Sequence, residues 1–225
     1  MNLNSDNRNT IFKPRGVIFD MDGLMLDTER PMIPLWLEVG KSLGWKIDPD
    51  IAISTLGVDW DGTRKICMEE LGPDFPWESF NREITRLHNA ECEKGISHKK
   101  GLLFLLDHIG SKGIPMAVAT SQKREMASWM LGKAGILERF SALACGDEVK
   151  SGKPAPDIFL LAAGNLKVEP SLCVGFEDSP AGLQGLHAAG IASVFIRDMI
   201  LPPETVLSAV WRRYSDLSEA AEIFP

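Results

Sequence analysis

The chain has 225 residues, of which 44% are hydrophobic and 24% charged, which is an ordinary globular composition with enough length for a hydrophobic core. The formal net charge of −7 argues against a nucleic-acid partner, because binding to phosphate backbones usually requires a basic face. A small phosphorylated substrate is still compatible with this charge, because it would need only a local cationic site. No apolar segment is long enough to span a membrane.

Short apolar runs predict five buried strands. In chain order they are GVIFD (16–20), PMAVAT (115–120), ALACGD (142–147), LCVGFED (172–178) and ASVFIRD (192–198). The runs are continuous rather than alternating, as expected for strands that are covered on both faces. Helical patterns at 123–133, 157–166 and 180–189 separate the last four runs. This order predicts an α/β fold with a doubly wound parallel sheet.

The interval between the first two runs has a different character. It has no strand-like run, and apolar residues recur at helical spacing in PLWLEVGKSLG (34–44), WDGTRKICMEELG (60–72) and WESFNREITRLHNAECEKG (77–95). We therefore predict an inserted helical cap domain at residues 30–95. The core would comprise residues 12–29 and 96–225, with the sheet resuming near Gly101.

Polar residues end several of the predicted strands. Ligands bind outside the carboxyl ends of parallel strands, so one edge of the sheet should carry Asp20, Asp22, Thr120, Ser121, Glu177 and Asp178. Two carboxylates about 4 Å apart repel by roughly 4 kcal/mol at an effective dielectric near 20, and a divalent cation would reverse that sign. An all-oxygen site without Cys or His ligands favours Mg²⁺. The alternative is a pair of solvated loops that end in acids, which is less attractive because two acid pairs end separate strands.

Candidate phosphate contacts follow the second predicted strand. Thr120 and Ser121 lie just before a predicted helix, where hydroxyl and backbone N–H groups can bind an anion. A plain helix N-cap is an equally good interpretation of this position. Four carboxylates and a phosphate would also require a monovalent cation for charge balance. We favour Lys153 over Lys150 for this role, because the stiff sequence PAP follows Lys153.

Four motifs occur in order between residues 16 and 198: DMDGLMLDTE, ATS, GKPAPDIF and GFEDSPAGLQGLHAAG. Together they resemble the haloacid dehalogenase superfamily of phosphotransferases, and most closely its beta-phosphoglucomutase-like phosphatase branch. That branch has a Rossmann-like core with a helical cap inserted after the first strand. The order and spacing of all four motifs are much more specific than any one of them.

The resemblance implies a role for each matching residue. Asp20 would be the nucleophile that forms an aspartyl phosphate, and Asp22 the general acid and base. Mg²⁺ would be bound by Asp20, by the backbone carbonyl of Asp22 and by Asp178, with help from Glu177. The phosphoryl oxygens would be held by Thr120, Ser121 and Lys153.

Two other functions remain as alternatives to a phosphatase. Phosphosugar mutases of this branch carry a histidine five residues after the acid that matches Asp27, and an arginine in the cap loop. This sequence has Met32 and Trp60 in those places, which makes water the expected phosphoryl acceptor. A non-enzymatic phosphate-responsive regulatory module is less favoured, because receiver domains carry their phosphorylated Asp on the third strand and have no helical insert.

The substrate is expected to be a small phosphorylated metabolite, with sugar phosphates ahead of nucleotides. The turn LGVDWDG (56–62) is the candidate specificity loop, and Trp60 and Asp59 are its candidate substrate contacts. Packing of Trp60 at the start of a helix is the favoured alternative.

The cysteines and the N-terminal segment bear on location. Cys67, Cys92, Cys145 and Cys173 form no C-x-x-C pair, which fits a reducing compartment better than a disulfide framework. The first ten residues, MNLNSDNRNT, lack the apolar region of a signal peptide. We therefore expect a cytoplasmic protein, and a monomer is favoured.

Overall fold

The computed structural model describes residues 12–58 and 60–225. Within these ranges the strands are β1 (Gly16–Phe19), β2 (Met116–Thr120), β3 (Ala142–Cys145), β4 (Cys173–Glu177), β5 (Ala192–Ile196) and β6 (Arg212–Tyr214). The helices are α1 (Met32–Ser42), α2 (Pro49–Ser54), α3 (Trp60–Leu71), α4 (Trp77–Lys94), α5 (Leu102–Ser111), α6 (Arg124–Lys133), α7 (Asp157–Leu166), α8 (Pro180–Ala188) and α9 (Glu204–Leu207). Each predicted strand is present and lies within its predicted range.

The strands form one parallel sheet in the order β3-β2-β1-β4-β5-β6. Val17 in the central strand β1 is paired with Met116 of β2 on one side and with Val174 of β4 on the other. The predicted doubly wound parallel α/β fold is therefore confirmed. The strand order reverses between β1 and β4, and a crevice outside the carboxyl ends of the strands forms at such a point.

Both faces of the sheet are covered by helices. Val17 and Phe19 belong to a buried cluster with residues of α5 and α6, whereas Ile18 belongs to a cluster with residues of α7 and α8. All three β1 side chains are fully buried. This two-sided burial explains why the β1 sequence is a continuous apolar run rather than an alternating one.

Helices α1 to α4 lie in the chain between β1 and α5, as expected for an inserted helical segment. They have a hydrophobic cluster of their own, which includes Trp36, Val39, Phe75, Trp77, Phe80 and Ile84. The rings of Trp36 and Phe80 meet edge to face at 4.9 Å. The division into core and cap at residues 30 and 95 stays a prediction. Among the described residues, no helix combines the length and apolarity needed to cross a membrane.

Two elements differ from the sequence-based expectation. The chain continues after Gly101 with α5 instead of a strand, because Leu102, Leu105, Leu106 and Ile109 are buried at helical spacing, while Phe104 is exposed. The sheet resumes only at β2. Strand β6 was not predicted, since it is a short, largely exposed edge strand without an apolar run.

Candidate active site

Asp20 follows the central strand and lies beside the end of β4. Its backbone N–H donates to the carbonyl oxygen of Phe176 at 3.0 Å, which ties the ends of β1 and β4 together. Carboxylate oxygens of Asp20, Glu177 and Asp178 lie within 4.8 Å of one another, and all three residues are buried. The structure thus brings three acids from two predicted strand ends into one cluster.

Lys153 reaches this acid cluster from the loop before α7. Its Nζ atom donates hydrogen bonds to Oδ1 of Asp20 and, at 2.6 Å, to Oε1 of Glu177. Only 4% of the Lys153 side chain is exposed. Burial by itself would lower the pKa of Lys153, but the carboxylates of Asp20 and Glu177 outweigh it and raise this pKa above its ordinary value. A charged lysine is therefore fixed within the cluster.

Glu177 has a protein donor on each carboxylate oxygen. Its Oε1 atom accepts from Lys153, and its Oε2 atom accepts from the backbone N–H of Asp178, at 2.9 Å, and of Ser179, at 2.8 Å. The Ser179 hydroxyl donates to the same Oε2 atom. A Cβ atom at Gly182 would lie 1.7 Å from Oε1, so the first turn of α8 must be glycine at that place. Glu177 therefore joins Lys153 to the start of α8.

Asp178 differs from Glu177 because its Oδ1 atom is buried without a hydrogen-bond donor among the described residues. Burial, followed by the neighbouring acids Glu177, Glu29 and Asp20, raises the pKa of Asp178 well above its ordinary value. A bound cation would offset both the burial and the repulsion. Because the ligand atoms that Asp20, Glu177 and Asp178 offer are all carboxylate oxygens, the residues present fit Mg²⁺.

Asp22 is held from two directions. Its Oδ1 atom accepts from the Thr28 hydroxyl at 2.7 Å, and its Oδ2 atom accepts from the Gln122 side-chain amide at 3.3 Å. Thr28 belongs to the segment after β1, and Gln122 to the loop after β2. Neither contact was predicted, because a single polar residue in a loop carries no local signal for a partner elsewhere in the chain.

Glu29 is an acid of this region that the sequence analysis did not single out. Its oxygens lie within 4.8 Å of those of Asp178 and Asp198, and its pKa is raised to about 8 by burial and then by the charges of Asp22 and Asp20. The sequence signal that could have identified Glu29 is its position in the DTE sequence, seven residues after Asp22. Asp198 lies two residues after the end of β5 and is the last residue of the last predicted strand run.

The predicted phosphate contacts lie at the end of β2. Thr120 is buried, and its hydroxyl oxygen accepts from the backbone N–H of Gln122 at 3.1 Å. Ser121 is exposed next to it. Helix α6 begins only at Arg124, and its N-cap position is Lys123. Thr120 and Ser121 are therefore not the N-cap of α6, and the alternative N-cap interpretation is wrong.

Of the two candidate specificity residues, Trp60 lies within the described part of the chain. Trp60 is the first residue of α3 and is 47% exposed. Its ring centroid is 6.3 Å from that of Trp77, so it packs partly against the start of α4. Asp59 lies outside the described residues. A role for either side chain in substrate binding stays a prediction.

Comparison with known proteins identifies the family of this chain. The family described as haloacid dehalogenase-like hydrolase matches residues 17–196. The fructose-1-phosphate phosphatase YqaB of Escherichia coli K12 is 34% identical to the chain, over 81% of the chain and 96% of the relative. The phosphorylated carbohydrates phosphatase of Thermotoga maritima is 32% identical, over 80% of the chain and 83% of the relative.

A solved structure extends the comparison to the fold. The beta-phosphoglucomutase of Clostridium difficile superposes with a TM-score of 0.77 at 22% identity, over 92% of each chain, and this likeness concerns the fold alone. The resemblance inferred from the four sequence motifs is thereby confirmed. The chain belongs to the haloacid dehalogenase-like hydrolase family, among relatives that are named as phosphatases.

Proposed function

We propose that this protein is a Mg²⁺-dependent phosphatase that hydrolyses small phosphorylated metabolites through an aspartyl phosphate on Asp20. The observation that carries the proposal is the buried contact of Lys153 with Asp20 and Glu177, beside an Asp178 oxygen that lacks a donor. Sugar phosphates come first among the substrates and nucleotides second, since relatives of this chain are named for phosphorylated carbohydrates and fructose 1-phosphate.

The chemistry divides into two displacements at phosphorus. In the first, an oxygen of Asp20 bonds to phosphorus while the bond to the leaving alkoxide breaks, and Asp22 donates a proton to that alkoxide. In the second, Asp22 takes a proton from water, the water oxygen bonds to phosphorus, and Asp20 leaves as a carboxylate with release of inorganic phosphate. Thr28 and Gln122 would keep the Asp22 carboxyl oriented for both proton transfers.

The transferring phosphoryl group spreads negative charge over its oxygens, so catalysis depends on cationic and hydrogen-bonding groups around it. Lys153 supplies a fixed charge, and Thr120 and the backbone of Ser121 would supply hydrogen bonds. Mg²⁺ would be held by Asp20, Asp178 and the backbone carbonyl of Asp22. Glu177 would have a secondary role in binding the ion, because both of its carboxylate oxygens already accept hydrogen bonds from the protein. When bound, it supplies positive charge that offsets the phosphoryl oxygens.

The inserted helices would close over the strand ends and exclude water during transfer. Trp60 and Asp59 remain our candidates for contacts with the leaving group. A cytoplasmic location and a monomeric state complete the proposal.

The test is phosphate release from a panel of sugar phosphates and nucleoside monophosphates, with wild-type protein and the variant Asp20→Asn. The proposal expects release by the wild-type protein and a drop of at least about 10⁴-fold in the variant. If the Asp20→Asn variant hydrolyses the substrates as fast as the wild-type protein, Asp20 is not the nucleophile. Interconversion of glucose 1-phosphate and glucose 6-phosphate that outpaces their hydrolysis would favour a mutase. Stoichiometric phosphorylation of Asp20 without turnover would favour a regulatory module.

A further inference from the structure

A second group of acids adjoins the proposed magnesium site. Oxygens of Glu29, Asp178 and Asp198 lie within 4.8 Å of one another, and Asp178 also belongs to the group with Asp20 and Glu177. The two groups therefore share one buried carboxylate. The proposed function gives roles to Asp20, Asp178 and Glu177, and none to Glu29 or Asp198.

Asp198 is fixed in place but has an unused oxygen. Its Oδ1 atom pairs with Arg30 and, at 2.6 Å, with Lys99. Its Oδ2 atom is buried without a hydrogen-bond donor among the described residues, as is Oδ1 of Asp178. Only 2% of the Asp198 side chain is exposed. A buried acceptor without a donor costs roughly 1–3 kcal/mol, so two of them in one group indicate that donors are supplied by a bound species.

Glu29 connects this second group to the inserted helical segment. Its Oε1 atom accepts from the backbone N–H of Gly57, in the turn before α3, at 3.2 Å. A Cβ atom at Gly23 would lie 2.8 Å from Oε2 of Glu29 and 2.5 Å from Oδ2 of Asp178. The two carboxylates thus converge on Gly23, where φ is +81° and no side chain fits.

We infer that Glu29 and Asp198 are positioning residues for the cation, which accept hydrogen bonds from the water ligands of a Mg²⁺ held by Asp20 and Asp178. Water ligands of a cation are strong hydrogen-bond donors, and outer carboxylates that accept from metal ligands fix the orientation of those ligands in many protein metal sites. Mg²⁺ retains several waters in such sites because it loses them reluctantly. Through Gly57, Glu29 also links the occupied site to the turn before α3. The inference rests on the proposed function only in taking Asp20 and Asp178 as the direct ligands.

Calorimetric titration with Mg²⁺, without substrate, tests this inference. The test variant is Glu29→Gln, which keeps the size of the side chain and an oxygen that can accept from the backbone N–H of Gly57. The control variant is Glu169→Gln, which removes an exposed acid just before β4, at the opposite end of the sheet from the site. We expect Glu29→Gln to weaken Mg²⁺ binding by about 10-fold or more and Glu169→Gln to leave it unchanged. Asp20→Asn serves as the control for a direct ligand, and we expect it to lose more affinity for Mg²⁺ than Glu29→Gln does.

The outcomes separate the roles. If Glu29→Gln binds Mg²⁺ as tightly as wild type and only its melting temperature changes, Glu29 is purely structural and the inference is overturned. A wild-type protein that binds no Mg²⁺ would overturn it as well. If circular dichroism shows that Glu29→Gln does not fold, Glu29→Asp is titrated instead. This variant keeps the negative charge on a shorter side chain. An affinity for Mg²⁺ equal to that of the wild-type protein would then count against the inference. Since no substrate is present, a wild-type protein that binds Mg²⁺ but hydrolyses no phosphate ester would defeat the proposed function alone.

Discussion

Lys153 and Glu177 form an ion pair in which Nζ and Oε1 are 2.6 Å apart, and at most 4% of either side chain is exposed. The same Nζ atom bonds to Asp20, and the second oxygen of Glu177 accepts from the backbone at the start of α8. The loop before α7, the end of β1 and the start of α8 are thus joined through one lysine. The charges of Lys153 and Glu177 are tolerated in the interior because each has a partner of opposite sign.

Replacement of Lys153 by Met should destabilise the protein and abolish hydrolysis. The change leaves the carboxylates of Asp20 and Glu177 buried without their cation, and the loss of one partner of a buried pair typically costs about 3–5 kcal/mol in free energy of unfolding. Urea denaturation and phosphate release measure the two effects. The control is Lys150→Met, at an exposed position in the same loop. Equal stability of the two variants would contradict the importance of the buried pair.

Mg²⁺ should stabilise the folded protein and restore activity after chelation. Binding to the folded state alone raises the free energy of unfolding by about 2.7 kcal/mol at a free Mg²⁺ concentration of 100 times Kd. The measurement is the melting temperature in chelator and after addition of Mg²⁺, with phosphate release under the same conditions. Unchanged hydrolysis in chelator would remove the metal from the mechanism.

The metal-free protein should become less stable as pH rises from about 4.5 to about 8. The pKa of Glu29 increases from 4.5 to about 8 on folding, first because of burial and then because of Asp22 and Asp20. Across this window the unfolded chain loses a proton that the folded chain keeps, so the free energy of unfolding falls with rising pH. The raised pKa of Asp178 acts in the same direction.

Urea denaturation in chelator near both ends of that window checks this dependence on pH. Glu29→Gln should flatten the dependence, because glutamine does not titrate. A metal-free protein that is more stable at pH about 8 than at pH about 5 would be incompatible with these raised pKa values.

Gly57→Ala should impair catalysis more than stability. Gly57 has φ of +72°, and a Cβ atom there would lie 2.7 Å from Cβ of Ser179, next to the proposed metal ligand Asp178. The matched control is Gly72→Ala, at φ of +96° with no atom of the described residues within 4 Å of the added Cβ atom. Both variants should lose about 1–2 kcal/mol of stability from the left-handed backbone. Only Gly57→Ala should lower kcat/KM, by up to about 100-fold, because the turn can no longer approach the site. Equal kcat/KM in both variants would show that this approach is unimportant.

The sequence alone was sufficient for the fold class and the family. Buried parallel strands require continuous apolar runs, and five such runs were visible in the chain. Strand β6 gave no such run, because its pairing with β5 is made by backbone groups while its side chains remain largely exposed. The run LLFLL after Gly101 was ambiguous, since a short apolar segment fits a strand or a helix until its burial pattern is known.

The candidate site was predictable in part. Asp20, Asp22, Glu177 and Asp178 follow or end strands, so their meeting at one sheet edge follows from the parallel topology. Their roles in catalysis and metal binding stay predictions. Thr28 and Gln122 acquire their significance only from contacts that no local pattern encodes. Glu29 and Asp198 did have local signals, the DTE sequence and the end of a predicted strand run, but only the structure shows their contact with Asp178.

The amino-acid sequence by itself determined which segments become buried strands and which acids stand at their ends, because burial leaves a local pattern of side-chain types. Only the tertiary structure decided which oxygens have donors. Lys153 and Asp20 are 133 residues apart in the chain and form a hydrogen bond, whereas Oδ1 of Asp178 has no donor among the described residues. The physical reason is that a hydrogen bond requires atoms to come within about 3 Å, a condition set by the convergence of distant backbone segments and not by the residues adjacent in sequence.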